Sequence, residues 1–370
     1  MHIPSWPEAG EREAELLRSV LESPQWGGFH PFVTEFEESF AAYQHSRHGI
    51  SAFNGTVTLE LALQILGVGS GAEVIVPAIS FISSATAISR VGAVPVFVDV
   101  ERDSYNIDPA AVREALSPQT KAVMVVHFGG SMCRIEELLS LCREANIPLL
   151  EDAAHAQGSE WNGKRAGSFG VAGSFSFQNG KVLTAGEGGM LVTSNDQLAA
   201  SARSIANCGR GPGPDFYNHP RIGTNLRMTG FQAAILLAQF ERLPDQTSRR
   251  AENVCTLKNS LADVSDLVWQ TIPSEVTANS WYLMIGRVRG GRFSRAKLVE
   301  ALAAARVPFT PFYPRTLHQN AAFRDVPCRV CPCPAAEAAL QDAFWLPHRV
   351  LLANADTIAA IGQILRESLS

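Results

Sequence analysis

The sequence lacks the long apolar runs and the excess of positive charge that mark membrane-spanning and nucleic-acid-binding proteins. No apolar run approaches the ~20 residues that cross a bilayer, and the formal net charge is −5 with no basic cluster. The N-terminal segment, residues 1–17, is acidic and amphipathic and lacks the basic and apolar parts of a secretory signal. We therefore expect a cytoplasmic protein that binds neither nucleic acid nor a membrane.

The sequence also lacks a disulfide framework, because its seven cysteines are odd in number and scattered. Three of them, Cys328, Cys331 and Cys333, lie close together in CRVCPC, which could suggest metal binding. A zinc site, however, needs four ligands, usually in two separated pairs. We expect no metal here, and a surface loop with incidental thiols.

What the sequence does have is an alternation of short runs rich in Val and Ile with segments of helical spacing. The apolar runs are residues 73–79, 94–100, 121–128 and 147–152, and the helical segments are 32–43, 57–66, 109–116 and 134–145. Apolar strands that alternate with helices predict a parallel sheet covered on both faces. Strands at 174–177 and 190–194 could add an antiparallel portion, and a long helix at 228–243 closes this region.

After about residue 245 the pattern weakens. It predicts a strand at 280–288 and helices at 294–305 and 357–368, with several prolines between 308 and 349. A chain of 370 residues is too long for one simple core. We expect an α/β protein with a large domain, residues 1–245 including an N-terminal arm, and a smaller C-terminal α+β domain, residues 246–370.

Two ionisable residues follow predicted strands in this large domain. Asp152 ends an apolar strand, and Lys181 lies just past another in SFSFQNGKVLTAGEGG. Ligands of open α/β sheets bind beyond the carboxyl ends of the strands. A carboxylate there can keep a pyridinium nitrogen protonated, so that the ring draws electrons. The alternatives are a helix cap for Asp152 and a flexible surface loop for Lys181.

Three further features suit the same kind of ligand. Gly55 and Thr56 precede an apolar helix, where backbone N–H groups and a hydroxyl can bind phosphate. The alternative is an ordinary turn, because the pair Asn54-Gly55 is of a type that favours turns. Phe81 follows a strand, where it could cover a flat ring, and His155 lies at helical spacing behind Asp152. Both of these residues would equally fit an ordinary core.

The order of these segments resembles a known family. The stretches are NGT at 54–56, GAEVIVPAISF at 71–81, VPVFVDV at 94–100, EDAAHAQG at 151–158, FSFQNGKVLTAGEGG at 175–189 and TNLRMTGFQAAIL at 224–236. The chain resembles the DegT/StrS-type sugar and cyclitol aminotransferases. The resemblance implies pyridoxal phosphate as cofactor and the fold type I, aspartate aminotransferase-like architecture.

The resemblance also implies roles for individual residues. Lys181 matches the lysine that carries the cofactor as a Schiff base, and Asp152 matches the aspartate beside the ring nitrogen. His155 occupies a position near the phenolic oxygen of the cofactor, and Phe81 matches the aromatic residue that stacks on the ring.

Phosphate contacts are implied for Gly55, Thr56 and Ser176. Asn225 matches an asparagine that reaches the phosphate from the neighbouring subunit. The resemblance therefore implies a homodimer with composite active sites.

In the family's usual reaction, glutamate or glutamine donates an amino group that passes through the cofactor to a keto-sugar or keto-cyclitol. Such reactions serve sugar, antibiotic and other secondary-metabolite biosynthesis. The displaced amine of Lys181 would shuttle the proton, which requires a lysine that can lose its charge.

Three segments resemble one branch of the family, the 3-amino-5-hydroxybenzoate synthases: residues 175–181, 279–284 and 345–352. Those enzymes aromatise an aminated dehydroshikimate by elimination and use the same lysine. We favour transamination, because short branch motifs can follow ancestry rather than substrate. Lys181 argues against the dehydratases of this fold, which have histidine there. The complete cofactor set argues against a non-enzymatic regulator.

Candidate substrate contacts are Arg227, Arg315 and His318, in NLRM and YPRTLH. Trp26 and Phe29 could line the mouth of the pocket. Alternatively, Arg227, Arg315 and His318 are ordinary charged surface residues. Trp26 and Phe29 would then only pack against neighbouring side chains.

Overall fold

A computed structural model describes residues 1–289 and 295–369. Its strands are β1 (His48–Ala52), β2 (Glu73–Pro77), β3 (Val94–Val98), β4 (Thr120–Val126), β5 (Leu149–Asp152), β6 (Glu160–Trp161), β7 (Lys164–Arg165), β8 (Ala172–Ser176), β9 (Gly189–Thr193), β10 (Leu267–Trp269), β11 (Leu283–Val288), β12 (Arg329–Val330) and β13 (Ala343–Pro347). Eight of them form one sheet in the order β1-β9-β8-β5-β4-β2-β3-β12. Strand β9 is antiparallel to both its neighbours, and the other pairs are parallel. The prediction of a mostly parallel sheet with an antiparallel portion is confirmed.

The helices are α1 (Glu11–Glu22), α2 (Pro31–Tyr43), α3 (Gly55–Ile65), α4 (Ser83–Arg90), α5 (Pro109–Ala115), α6 (Ile135–Glu144), α7 (Asp196–Ala206), α8 (Gly230–Ser260), α9 (Arg295–Ala304), α10 (Pro334–Asp342) and α11 (Ala355–Ser368). Residue 294, the predicted start of α9, lies outside the described residues. None of the helices in the described ranges is long and apolar enough to span a bilayer.

Side chains of the central strands alternate between two apolar cores, one on each face of the sheet. Ile75 of β2 and Val123 of β4 lie in the core beneath α2, α5, α6 and α8. Their neighbours Val74 and Met124 lie in the core beneath α3, α4 and α7. This alternation is why the central strands are apolar at every position.

Helix α8 continues well beyond the predicted end at residue 243. Pro244 lies inside it, although proline removes a helical N–H and disfavours a helix interior. Packing outweighs that local cost, since Leu243 lies in the core of the large sheet and Leu257 in the C-terminal core. The domain boundary at residue 245 stays a prediction, and it falls within this helix.

The C-terminal part contains an antiparallel sheet, β10-β11-β13, packed with α9 and α11. Strand β12 instead joins the edge of the large sheet beside β3. The expected surface loop around the cysteine cluster is therefore wrong. Cys328 and Cys331 pack into the two different cores that flank the large sheet, and Cys333 is buried. The described residues include no group of His, Cys, Asp and Glu suited to a metal ion.

One buried polar cluster supports the strand that ends at Asp152. Glu151 is 1% exposed and accepts hydrogen bonds from the backbone N–H groups of Gly167, Phe169 and Gly170 at 2.6–2.7 Å. Its Oε2 also lies 2.9 Å from Nε2 of the fully buried His127. The carboxylate thus holds the turn before β8 against the end of β5.

We expect Glu151→Ala to lower the free energy of unfolding by about 3–5 kcal/mol, because it leaves buried donors without an acceptor. Equilibrium denaturation by urea measures this change. The matched control is Glu137→Ala, an exposed residue paired with Arg134, which should shift stability by about 0.5 kcal/mol or less. Equal effects of the two substitutions would contradict a stabilising role for the buried cluster.

Candidate active site

The main candidate site is a cavity of about 490 Å³ at the carboxyl ends of the central strands. Strand order reverses between β2 and β4, and a crevice opens at such a point in an open α/β sheet. Seven of the predicted residues line the cavity: Gly55, Thr56, Phe81, Asp152, His155, Ser176 and Lys181. The structure therefore brings together segments that lie more than a hundred residues apart in the sequence.

Lys181 lies in the connection between β8 and β9, where a tight turn presents it to the cavity. The turn is fixed by hydrogen bonds from Lys181 N to Gln178 O and from Asn179 N to Gly186 O, both 2.8 Å. Lys181 is 8% exposed, and its Nζ lies 4.6 Å from the ring centroid of Tyr282. Burial lowers the pKa of Lys181 to about 8, against the attraction of Asp152. Among the described residues Nζ has no hydrogen-bond acceptor, so the amine is available to a ligand.

Asp152 closes the floor of the cavity at the end of β5. Its Oδ2 accepts a 2.7 Å hydrogen bond from Ser84 Oγ, and its Oδ1 accepts one of 3.2 Å from Ala154 N. Burial raises the pKa of this carboxyl, while the hydrogen bond from Ser84, the N–H of Ala154 and the charge of Lys181 oppose that shift. The carboxylate can therefore face a cationic nitrogen inside the protein.

His155 is neutral in this environment. Burial, together with the positive charge of Lys181, places its pKa well below the ordinary value. Its Nδ1 accepts a 3.3 Å hydrogen bond from Gly129 N, which puts the proton on Nε2. The ring packs against that of Tyr282, with centroids 4.4 Å apart. Nε2 can thus donate a hydrogen bond to an oxygen of a ligand.

The N-terminus of α3 forms one side of the cavity. Asn54 caps the helix by accepting from Val57 N at 3.0 Å, and the first N–H groups of a helix lack helical acceptors. A Cβ on Gly55 would lie 2.7 Å from Ser176 Cβ, so only glycine permits this close approach. Thr56 donates to Ser83 Oγ at 2.8 Å. These groups fit an anion such as the phosphate of pyridoxal phosphate.

Asn225 does not line the cavity of its own chain. It is exposed, its Oδ1 accepts from Arg227 N at 3.3 Å, and its backbone bridges to Asn207. Arg227 also lies elsewhere, where it donates to Asn207 Oδ1 at 2.8 Å and covers the ring of Phe29 at 5.5 Å.

The other predicted substrate contacts also lie outside the cavity. Arg315 is exposed. His318 lies 3.2 Å from Thr316 Oγ1 and packs 5.8 Å from Phe97, and burial lowers its pKa.

The two predicted mouth residues, Trp26 and Phe29, are about half exposed, at 54% and 52%. Trp26 packs beside Phe231, and neither residue lines the cavity within this chain.

The C-terminal part contributes a wall of the cavity that was not predicted from the sequence. Tyr282, Tyr313 and Trp345 line the cavity, and the ring centroids of Tyr313 and Trp345 lie 5.2 Å apart. Burial raises the pKa of Tyr282 to about 12 and that of Tyr313 further, so both hydroxyls stay protonated. Tyr282 and Trp345 lie in segments 279–284 and 345–352, which resemble the 3-amino-5-hydroxybenzoate synthases. That resemblance was the signal that could have identified these two residues. Nothing in the sequence marked Tyr313.

Comparison with known proteins agrees with this geometry. The sequence profile of the DegT/DnrJ/EryC1/StrS aminotransferase family matches residues 7–365. The 3-amino-5-hydroxybenzoate synthase of Amycolatopsis mediterranei is 39% identical over 100% of this chain and 97% of its own. The L-glutamine:scyllo-inosose aminotransferase of Streptomyces griseus is 33% identical over 99% of this chain and 94% of its own.

Solved structures show the same fold. A crystal structure of 3-amino-5-hydroxybenzoic acid synthase superposes with a TM-score of 0.93 at 37% identity, covering 99% of this chain and 98% of the other. Spr1654 from Streptococcus pneumoniae, known in forms with pyridoxal phosphate and with pyridoxamine phosphate, superposes at 25% identity. The form with pyridoxal phosphate superposes with a TM-score of 0.89, with complete coverage of both chains. The chain therefore belongs to the DegT/DnrJ/EryC1/StrS aminotransferase family, whose cofactor is pyridoxal phosphate.

Proposed function

We propose that this enzyme transfers an amino group from glutamate or glutamine to a keto-sugar or keto-cyclitol, with Lys181 as the residue that binds the cofactor and moves the proton. The observation that carries the proposal is the buried amine of Lys181, whose pKa is lowered to about 8 in a cavity it shares with Asp152. The inosose aminotransferase relative supports the acceptor class. The enzyme would serve sugar or antibiotic biosynthesis.

Each cavity residue has a distinct part in this proposal. When bound, pyridoxal phosphate supplies an aldehyde that joins an amine and a ring that draws electrons from the substrate carbon. Asp152 would keep the ring nitrogen protonated, and Nε2 of His155 would donate a hydrogen bond to the phenolic oxygen. Phe81 would lie against the ring, and the amine of Lys181 would accept and return the proton of the substrate carbon.

The N-terminus of α3, at Gly55 and Thr56, would hold the phosphate together with Ser176. Asn225 of the partner subunit would complete this contact in a homodimer. Its exposure in the single chain supports the proposal, because a side chain that serves a neighbour must face outward. The same placement leaves Arg227 as a candidate substrate contact in the partner's cavity. Arg315 and His318 also lie outside the cavity of their own chain, and both stay candidate substrate contacts.

The proposal includes a cytoplasmic location. All seven cysteines are free thiols, which suits a reducing compartment.

A second candidate function is elimination and aromatisation, as in a 3-amino-5-hydroxybenzoate synthase. The specific observation in its favour is the 39% identity over the whole chain with such an enzyme. The aromatic wall of Tyr282, Tyr313 and Trp345 would suit a flat product ring. Both reactions require the same base, so they differ in whether an amino donor reacts with the cofactor.

The pH dependence of Lys181 tests its role as the base. In the protein freed of cofactor, competitive acetylation of Lys181 should rise with pH through a midpoint at about 8, because only the neutral amine is nucleophilic and burial favours that form. Mass spectrometry of the digest measures this, with the exposed Lys121 as the reference lysine. A midpoint near the ordinary lysine value would contradict the assignment.

The reaction of the amino donor alone with the bound cofactor, which is the first half of transamination, separates the two candidate functions. With a transaminase, glutamate or glutamine alone should change the absorbance of the bound cofactor and release the matching keto acid. Lys181→Ala should abolish this change, since the proton has no carrier. If the donors leave the absorbance unchanged while an aminated dehydroshikimate yields an aromatic product, aromatisation replaces transamination as the function.

A mixed dimer tests the shared site. One subunit carries Lys181→Ala and the other Asn225→Leu, each variant being inactive as a homodimer. If sites are composite, one site receives both defects and the other neither, so mixing restores about half the normal activity per dimer. The double variant Lys181→Ala with Asn225→Leu, mixed with wild type, provides the matched control. Absence of any rescue would refute composite sites.

A further inference from the structure

Helix α4 begins beside the cavity and carries a hydroxyl that bonds directly to Asp152. Ser84 is 1% exposed, and its Oγ donates to Asp152 Oδ2 at 2.7 Å. The helix thereby reaches across from the end of β2 to the end of β5. This is the shortest hydrogen bond to the Asp152 carboxylate among the described residues.

A second hydroxyl stands behind the first. Ser80 is 4% exposed, and its Oγ lies 2.7 Å from Ser84 Oγ. Because the hydrogen of Ser84 is given to the carboxylate, Ser80 must donate to the oxygen of Ser84. Hydrogen bonds in such a chain polarise one another, which strengthens the one that ends on the charge.

The carboxylate needs this support because its other partners are weaker or variable. Burial raises the pKa of Asp152, and Ser84 makes the largest opposing contribution, ahead of Ala154 N and of the charge on Lys181. The charge of Lys181 cannot be constant if that residue binds the cofactor and carries a proton. The hydroxyl of Ser84 does not titrate, so its contribution persists throughout the reaction.

We propose that Ser84, supported by Ser80, is a positioning residue that holds the Asp152 carboxylate ionised and aimed at the ring nitrogen of the cofactor. The inference rests on the proposed role of Asp152. Ser84 acts through that carboxylate: a hydrogen bond that stabilises the anion makes Asp152 a weaker base, so the shared proton stays on the ring nitrogen.

The direct test compares Ser84→Ala, Ser84→Thr and Ser89→Ala in the holoenzyme. Ser89 lies on the same helix, and its Oγ is buried without a partner among the described residues, so Ser89→Ala is a matched loss of a hydroxyl. We expect Ser84→Ala to lower kcat about 10- to 100-fold with little change in KM, as for a lost hydrogen bond to a buried charge. Ser84→Thr keeps a hydroxyl and should recover most of the rate.

Two readouts exclude a merely structural role. Nitrogen NMR of cofactor labelled at its ring nitrogen should show a protonated ring in the wild type and a shift towards the unprotonated signal in Ser84→Ala. With a cofactor analogue that has carbon in place of the ring nitrogen, Ser84→Ala should cause no further loss of rate. If Ser84→Ala does not bind cofactor, Ser80→Ala should give the same NMR shift to a smaller extent.

Unchanged NMR signals, or equal rate losses with both cofactors, would overturn the inference. The variant Asp152→Asn separates a failure of the role proposed for Ser84 from a failure of the role proposed for Asp152. If Asp152→Asn reduces kcat strongly while Ser84→Ala does not, the role of Ser84 is refuted and that of Asp152 stands. If Asp152→Asn leaves kcat unchanged, both fail together.

Discussion

Opposite charges on Asp152 and Lys181, both almost fully buried, share one cavity, and each alters the protonation of the other. Burial favours the neutral form of both groups, since it raises the pKa of Asp152 and lowers that of Lys181. Their mutual attraction opposes that outcome, and it leaves the pKa of Lys181 at about 8, where an amine can both hold and release a proton near neutral pH. The surrounding residues keep this balance: Ser84 stabilises the anion, and the ring of Tyr282 faces the cation.

Strand β5 ends with two consecutive carboxylate residues, Glu151 and Asp152, that have different roles. Side chains of adjacent strand residues point to opposite faces of a sheet. Glu151 therefore faces inward, where it accepts from three backbone N–H groups and meets His127, while Asp152 faces the cavity. The first carboxylate fixes the strand end by hydrogen bonds that never reach a ligand. The second faces the cavity, where Ser84 Oγ and the backbone N–H of Ala154 hold it.

Local patterns in the sequence predicted the sheet and the half of the site that the sheet carries. Apolar runs placed the central strands within a few residues. Asp152, which ends one predicted strand, and Lys181, which follows another, both line the cavity. Prediction was poorer where long-range packing decides. Helix α8 passes through Pro244 because its apolar face links two cores. Tyr313 reaches the cavity only through the fold of the C-terminal part, which no short motif encodes.

The cationic and aromatic residues of the cavity bear on the proposed homodimer. Among the described residues that line it, Lys181 is the only one with an amine or guanidinium side chain, and the proposed function commits that amine to the cofactor. Phe81 is 57% exposed although it lines the cavity, and Trp26 and Phe29 are similarly exposed. Large aromatic side chains are usually covered when they carry binding energy. A partner subunit that covers this face would bury them and bring its own Asn225 and Arg227 towards the phosphate and the substrate. The polar groups that one chain lacks would then come from the other, and the site would depend on assembly as much as on folding.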